Sequence, residues 1–90
     1  MKFIHESDRI YLQDGEGKMI AEITFPQISD TVVELDGTFV DPSLRGQGVA
    51  DALVREAISD IKAKGLKAKA TCPYVIGWFE KHPEHADILD

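Results

Sequence analysis

Cysteine is nearly absent from this 90-residue chain, with Cys72 standing alone. One thiol cannot form an internal disulfide, so the core has to hold the fold; a lone cysteine also goes with a reducing compartment, and the expected location is the cytoplasm. Long apolar runs are missing. No stretch approaches the ~20 residues needed to cross a bilayer. The opening Met1-Lys2-Phe3-Ile4-His5-Glu6 has no apolar core of the secretory kind, so no membrane association is expected. Basic residues are outnumbered: 10 Lys and Arg stand against 16 Asp and Glu, for a net charge of −6. A nucleic-acid partner would need a basic patch to displace counterions, which excludes that class, whereas an amine-bearing acceptor is compatible with the charge. Repeats, low-complexity tracts and linkers are absent too, and the chain reads as one domain over residues 1–90.

What is present is periodicity. Hydrophobic residues make up 43% of the chain and charged residues 29%, and the apolar ones recur regularly, which argues against disorder. Lys2 to Glu6 alternates as a short strand, and Arg9 to Gln13 is a second, with Ile10 and Leu12 on one face. Asp14-Gly15-Glu16-Gly17 marks a hairpin turn, and Lys18 to Phe25 is the third strand. Thr31 to Leu35 and Thr38 to Val40 read as one fourth strand, bulged or bent at Asp36-Gly37.

The period then changes from 2 to 3.6. Val49, Ala50, Leu53, Val54, Ala57, Ile58 and Ile61 form one stripe of a helix from Gln47 to Lys64, with Asp51 and Arg55 paired on the polar face and Gly65 placed to end it. Leu66 to Thr71 is a fifth strand. Tyr74 to Lys81 is a shorter helix, with Val75, Trp78 and Phe79 facing inward, and Pro83 closes it or starts a last turn. The order β-β-β-β-α-β-α describes an α+β domain, an antiparallel meander followed by a β-α-β crossover.

The segment Asp41-Pro42-Ser43-Leu44-Arg45-Gly46-Gln47-Gly48-Val49-Ala50 joins the fourth strand to the long helix. Glycines at 46 and 48 leave backbone amides bare. The first amides of a helix lack internal partners and, with the helix dipole, suit an anion such as phosphate. Arg45 adds a fixed charge able to grip phosphate in a bidentate way. A P-loop would need Gly-Lys-Ser/Thr and a dinucleotide fingerprint three glycines opening a parallel sheet; neither is present. From the residues alone, the loop is either a plain glycine-bearing turn or a phosphate cradle.

Arg45-Gly46-Gln47-Gly48-Val49-Ala50 matches the Arg/Gln-x-x-Gly-x-Gly/Ala motif of the GNAT superfamily of N-acetyltransferases, at the expected place between a bent fourth strand and the main helix. More narrowly, the chain resembles minimal bacterial GNAT-like proteins in Thr38 to Gly48, in Cys72-Pro73-Tyr74-Val75 and in Phe79-Glu80-Lys81-His82-Pro83-Glu84. Related sequences often carry His where this chain has Gly37. The resemblance implies a GNAT-like fold: a mostly antiparallel five-stranded sheet with a long helix and a short C-terminal one, without the usual two N-terminal helices, for which Glu6-Ser7-Asp8 leaves no room. It implies acetyl-CoA as acetyl donor, held by Arg45, Gly46, Gln47, Gly48, Val49 and Ala50 at the pyrophosphate and by the strand Phe39-Val40-Asp41 along the pantetheine, with an N–H near Phe39 or Val40 facing the thioester carbonyl.

Three side chains are candidates for chemistry. Cys72 ends the fifth strand, where that fold opens a gap for the thioester; it reads as a nucleophile activated by the following helix or as a small buried hydrophobe. Tyr74 reads as a proton donor to the departing CoA thiolate or as a half-buried aromatic. Thr38 reads as a β-former first and as a site hydroxyl second. Trp78 and Phe79 read as core, His5 as a surface strand residue, and Glu80, Glu84 and Asp87 as a solvated face. His82 and His85 lack a third ligand, so no metal is expected. Two functions follow: an N-acetyltransferase acting on an amine acceptor, small molecule or protein, or a CoA-binding module or partner subunit without catalysis. The open acceptor side leaves room for a monomer or a weak homodimer.

Overall fold

The computed structural model describes residues 2–90, so Met1 of the expected domain lies outside the described residues. Among the described residues there are six strands and two α-helices: β1 (Ile4–His5), β2 (Arg9–Gln13), β3 (Met19–Thr24), β4 (Val32–Leu35), β5 (Gly37–Val40), α1 (Val49–Ala63), β6 (Lys67–Ala70) and α2 (Pro73–Lys81). Short 3₁₀ turns at Pro42–Leu44 and Pro83–Ile88 precede α1 and follow α2. Strands β1, β2, β3 and β5 form an antiparallel sheet in that order, and β4 and β6 form a separate parallel pair. The connection from β1 to β2 is the loop Glu6-Ser7-Asp8, with no helix.

The bent fourth strand expected from the sequence is thus two strands in two sheets, which raises the count from five to six. The break falls at Asp36. Leu35 pairs with Ala70 of β6 while Gly37 pairs with Thr24 of β3. Asp36 turns its N–H to the Thr24 carbonyl (3.3 Å), and its carboxylate accepts the Thr24 hydroxyl. The chain changes partners within two residues and opens the sheet at that point.

The stripe expected on α1 is the one buried: Val49, Leu53, Val54, Ala57, Ile58 and Ile61. It covers Ile10, Leu12, Ala21 and Ile23 on one face of β2 and β3, and Val75, Trp78 and Phe79 of α2 join the same core. Full burial of one such side chain stabilises by roughly 1.5–3 kcal/mol. Ala50 belongs to the stripe by period yet is only half-buried, because it borders a cleft. The helix ends in a Schellman turn: Gly65, at φ +70°, donates to the Lys62 carbonyl (3.0 Å) and Leu66 to the Ile61 carbonyl (3.1 Å).

His5 has more to do than a surface strand residue. Its Nδ1 lies 2.7 Å from Asp60 Oδ2 and its Nε2 3.0 Å from Glu56 Oε1, which ties β1 to the outer face of α1. The hydrogen bond to Asp60 is the main influence raising the His5 pKa above 6.5; slight burial opposes it, and the Glu56 carboxylate adds to it. A group whose pKa is higher folded than unfolded stabilises the fold fully below the unfolded value and loses that contribution as pH rises through the folded value. The stability difference between wild type and His5→Ala, from urea midpoints across pH, is expected to be greatest below pH 6.5 and to vanish at alkaline pH. A difference independent of pH would contradict the ion-pair assignment.

Candidate active site

The gap opened at Asp36 brings two of the expected site residues together, Thr38 on β5 and Cys72 at the start of α2. The Leu35 carbonyl accepts both the Thr71 and the Cys72 N–H, each at 3.1 Å, and closes the β4–β6 ladder. Beyond it β5 runs on while Cys72 becomes the N-cap of α2, with Pro73 at the first helical position. Pro73 has no N–H for a ladder, so strand pairing stops there and the two segments diverge.

Backbone direction along β5 follows from its register. Asp41 N–H donates to the Ile20 carbonyl (2.8 Å), so alternation turns the N–H groups of Asp41 and Phe39 toward β3 and those of Val40 and Thr38 toward the free edge. Side chains alternate as well. Thr38 and Val40 stand opposite the buried Ile23 and Ala21, on the α1 face, while Phe39 stands opposite Glu22 on the other face and is 45% exposed. Of the stretch Phe39 to Asp41, Val40 therefore presents free backbone groups to the gap. The Asp41 carboxylate is engaged locally: it accepts from Ser43 Oγ (2.6 Å) and Ser43 N–H (3.0 Å), which caps the first 3₁₀ turn and lowers its pKa.

The glycine loop follows. Gly46 and Gly48 have φ of +80° and +75°, and a Cβ on either would meet nothing within 4 Å. The left-handed backbone requires glycine, and the space beside it is open. Among the described residues, the N–H groups of Gly48, Val49, Ala50 and Asp51 have no backbone acceptor. Arg45 is exposed and has no carboxylate partner among the described residues. Gln47 is exposed and its Nε2 donates to the Ser43 carbonyl (3.3 Å), so it braces the loop. The loop opens on a cleft of about 320 Å³, whose lining includes Arg45, Gly46, Gly48, Val49 and Ala50 together with Thr38, Val40 and Tyr74.

Cys72 does not line the cleft but lies behind Thr38, which does. It is buried, and its Sγ is 3.5 Å from Thr38 Oγ1. Burial pushes the thiol pKa up. The Thr38 hydroxyl and the backbone N–H groups of Val75, Tyr74 and Thr38 directed at the sulfur outweigh burial, leaving the pKa below the ordinary value of 9.0. Those amides approach the sulfur without closing a regular capping bond. Tyr74, two residues on, is 42% exposed. Burial and then the Asp51 charge raise its pKa, so the phenol stays protonated at neutral pH.

The sequence reading missed two cleft residues, Leu44 and Asp51. Asp51 was legible only as the partner of Arg55. That pair exists (2.9 Å), but Asp51 Oδ1 also accepts the Trp78 indole N–H at 2.7 Å. His82 stacks on the Trp78 ring, with centroids 4.0 Å apart, and its Nδ1 donates to the Trp78 carbonyl (2.8 Å). Among the described residues, no group of three or more His, Cys, Asp or Glu side chains could hold a metal.

The fold is a compact GNAT-like one, and the chain belongs to the family of GCN5-related N-acetyltransferases, whose model matches residues 9–88. The chain is 26% identical to a GCN5-like protein of Staphylococcus aureus, with a TM-score of 0.81 over 99% of this chain and 87% of that one. It resembles the GNAT protein YhbS of Escherichia coli, solved with CoA, at 25% identity and a TM-score of 0.60 over 69% of this chain and 38% of that one. Protein NATD1 of Homo sapiens is 29% identical over 63 residues, which are 70% of this chain and 56% of that protein. The chain thus spans just over half the length of the curated relatives it matches.

Proposed function

We propose that this protein binds acetyl-CoA along the cleft and transfers the acetyl group to an amine, with Cys72, Thr38 and Tyr74 doing the chemistry. The observation that carries the reading is that one cleft is lined both by unpartnered amides at the start of a helix and by the Thr38 and Tyr74 side chains, with the buried Cys72 thiol 3.5 Å behind the Thr38 hydroxyl. The CoA complex of YhbS and the family match support the choice of ligand. In this reading the amides of Gly48, Val49 and Ala50, with Arg45, hold the pyrophosphate, and Gly46 and Gln47 shape the loop. Phe39, Val40 and Asp41 form the strand beside the pantetheine, and the Val40 N–H faces the thioester carbonyl, where it stabilises the developing oxyanion. The acceptor is an amine on a small molecule or a protein; the lone free thiol fits a cytoplasmic setting, and the chain acts as a monomer or weak homodimer.

The short Glu6-Ser7-Asp8 connection and the exposed Phe39 favour a second reading, a CoA-binding module or partner subunit whose acceptor side is completed by another protein. Two measurements separate the two. Titration calorimetry with acetyl-CoA is expected to show binding in either case. CoA release from acetyl-CoA, followed with a panel of small amines and lysine peptides, is expected only for the enzyme. Absence of binding would sink both readings; binding without release, for any amine, would leave the module.

A further inference from the structure

We propose that Asp51 is a positioning residue for the transfer reaction: by accepting the indole N–H of Trp78 it docks α2 on the first turn of α1 and holds the Tyr74 hydroxyl over the cleft. The inference rests on the reading of Tyr74 as proton donor to the departing CoA.

The geometry is continuous from one helix to the other. Asp51 is the third residue of α1 and borders the cleft. Trp78, at the other end of its 2.7 Å hydrogen bond, is buried on α2. Tyr74 lies one turn before Trp78 on α2, so the two share a helix face. Once the indole is fixed, the rotation of α2 is fixed, and with it the direction of Tyr74. Arg55 adds to the clamp, since it pairs with Asp51 (2.9 Å) and lies over the Trp78 ring, 5.3 Å from its centroid.

Asp51 acts by charge as well. The charged and titratable groups around Tyr74 are Arg45 on the glycine loop, Asp51 and Arg55 on α1, Cys72 at the start of α2, and Lys81 and His82 at its end. Asp51 is the carboxylate among them, and a carboxylate beside a phenol disfavours phenolate. Asp51 also stands next to the amides assigned to the pyrophosphate, where its charge works against phosphate. A helix-docking role outweighs that cost only if the tyrosine it holds matters to the reaction.

The test uses the full chain labelled with ¹³C on the tyrosine ring, together with CoA release from acetyl-CoA with an amine from the panel named above that does not cleave the thioester unaided. Asp51→Asn keeps an acceptor for the indole and removes the charge; Asp51→Ala removes both. The Trp78 indole proton is expected to exchange slowly in wild type and Asp51→Asn and fast in Asp51→Ala. The Tyr74 titration midpoint is expected to fall in both variants. In turnover, Asp51→Ala should lower kcat about tenfold, a part of the 10²–10⁴ that acid–base catalysis supplies, without raising KM for acetyl-CoA. In a Tyr74→Phe background the same change should cost less than about twofold. An equal cost with and without Tyr74, an unmoved Tyr74 midpoint, or an indole proton indifferent to Asp51→Ala overturns the proposal. A wild-type rate in Tyr74→Phe overturns instead the proton-donor reading, and the two NMR readouts, which need no turnover, still decide whether Asp51 holds the tyrosine.

Discussion

Gly48→Glu is expected to abolish acetyl-CoA binding, lowering affinity by about 100-fold or more. Two effects act in the same direction. Gly48 occupies the left-handed region at φ +75°, where a residue with a Cβ costs roughly 1–2 kcal/mol, so the loop is pressed out of the shape that presents its amides. A carboxylate would also stand where the pyrophosphate is to lie, and like charges set against each other cost several kcal/mol; about 3 kcal/mol already corresponds to roughly 100-fold. Gly48→Ala separates the two. Its methyl meets nothing within 4 Å, so it carries the strain without the charge and should weaken binding much less. Calorimetry on both variants, with thermal melts to show that each is folded, decides the matter. Unchanged affinity in Gly48→Glu would remove the phosphate cradle from the loop.

The shape of this loop was legible because it is local, while its use as a phosphate cradle stayed open from the residues alone and came from the family resemblance. Glycines, a helix start and an arginine lie within one short stretch, and the requirement for bare amides is written in consecutive residues. The α1 stripe and the bounds of β2 were legible for the same reason: periodicity is a property of neighbours. The split at Asp36 was not, since it depends on partners far along the chain. Leu35 finds β6 and Gly37 finds β3, and a period-2 pattern is the same whether a strand stays in one sheet or changes to another. The C-terminal tail shows the same limit. Ile88 is buried and Leu89 bridges Ala68, pairing that a segment beginning at Pro83 gave no local sign of. At the site, the gap beside Cys72 was inferred from family resemblance rather than from pattern. Asp51 showed only its helical neighbour Arg55, while its bond to Trp78 spans two helices and no spacing rule reaches it.

Cys72→Ala is expected to eliminate a covalent acetyl-protein species and to slow acetyl transfer by orders of magnitude, as loss of a nucleophile does. In the proposed sequence the Cys72 thiolate attacks the thioester carbonyl carbon, forming a new carbon–sulfur bond and an oxyanion that the Val40 N–H faces. Collapse breaks the bond to the CoA sulfur, and Tyr74, kept protonated by burial and by Asp51, gives that sulfur its proton. The amine then attacks acetyl-Cys72 and releases the thiolate, and the proton the amine loses passes through solvent while Tyr74 regains one from solvent, which restores the starting state.

Burial raises the Cys72 pKa, but the Thr38 hydroxyl and three backbone amides outweigh it and lower the pKa below its ordinary value, which favours the thiolate. Removing that hydroxyl in Thr38→Val should therefore raise the pKa of Cys72 and move the alkaline rise of the acetylation rate to higher pH, while the β-branched shape of residue 38 is retained. Direct attack by the amine on the thioester is the rival mechanism. Intact mass after brief mixing with acetyl-CoA separates the two: an acetyl group added to the wild type, absent from Cys72→Ala and slowed at neutral pH in Thr38→Val, supports the carrier. If Cys72→Ala acetylates an amine at the wild-type rate, the thiol serves only to fill the space beneath Thr38.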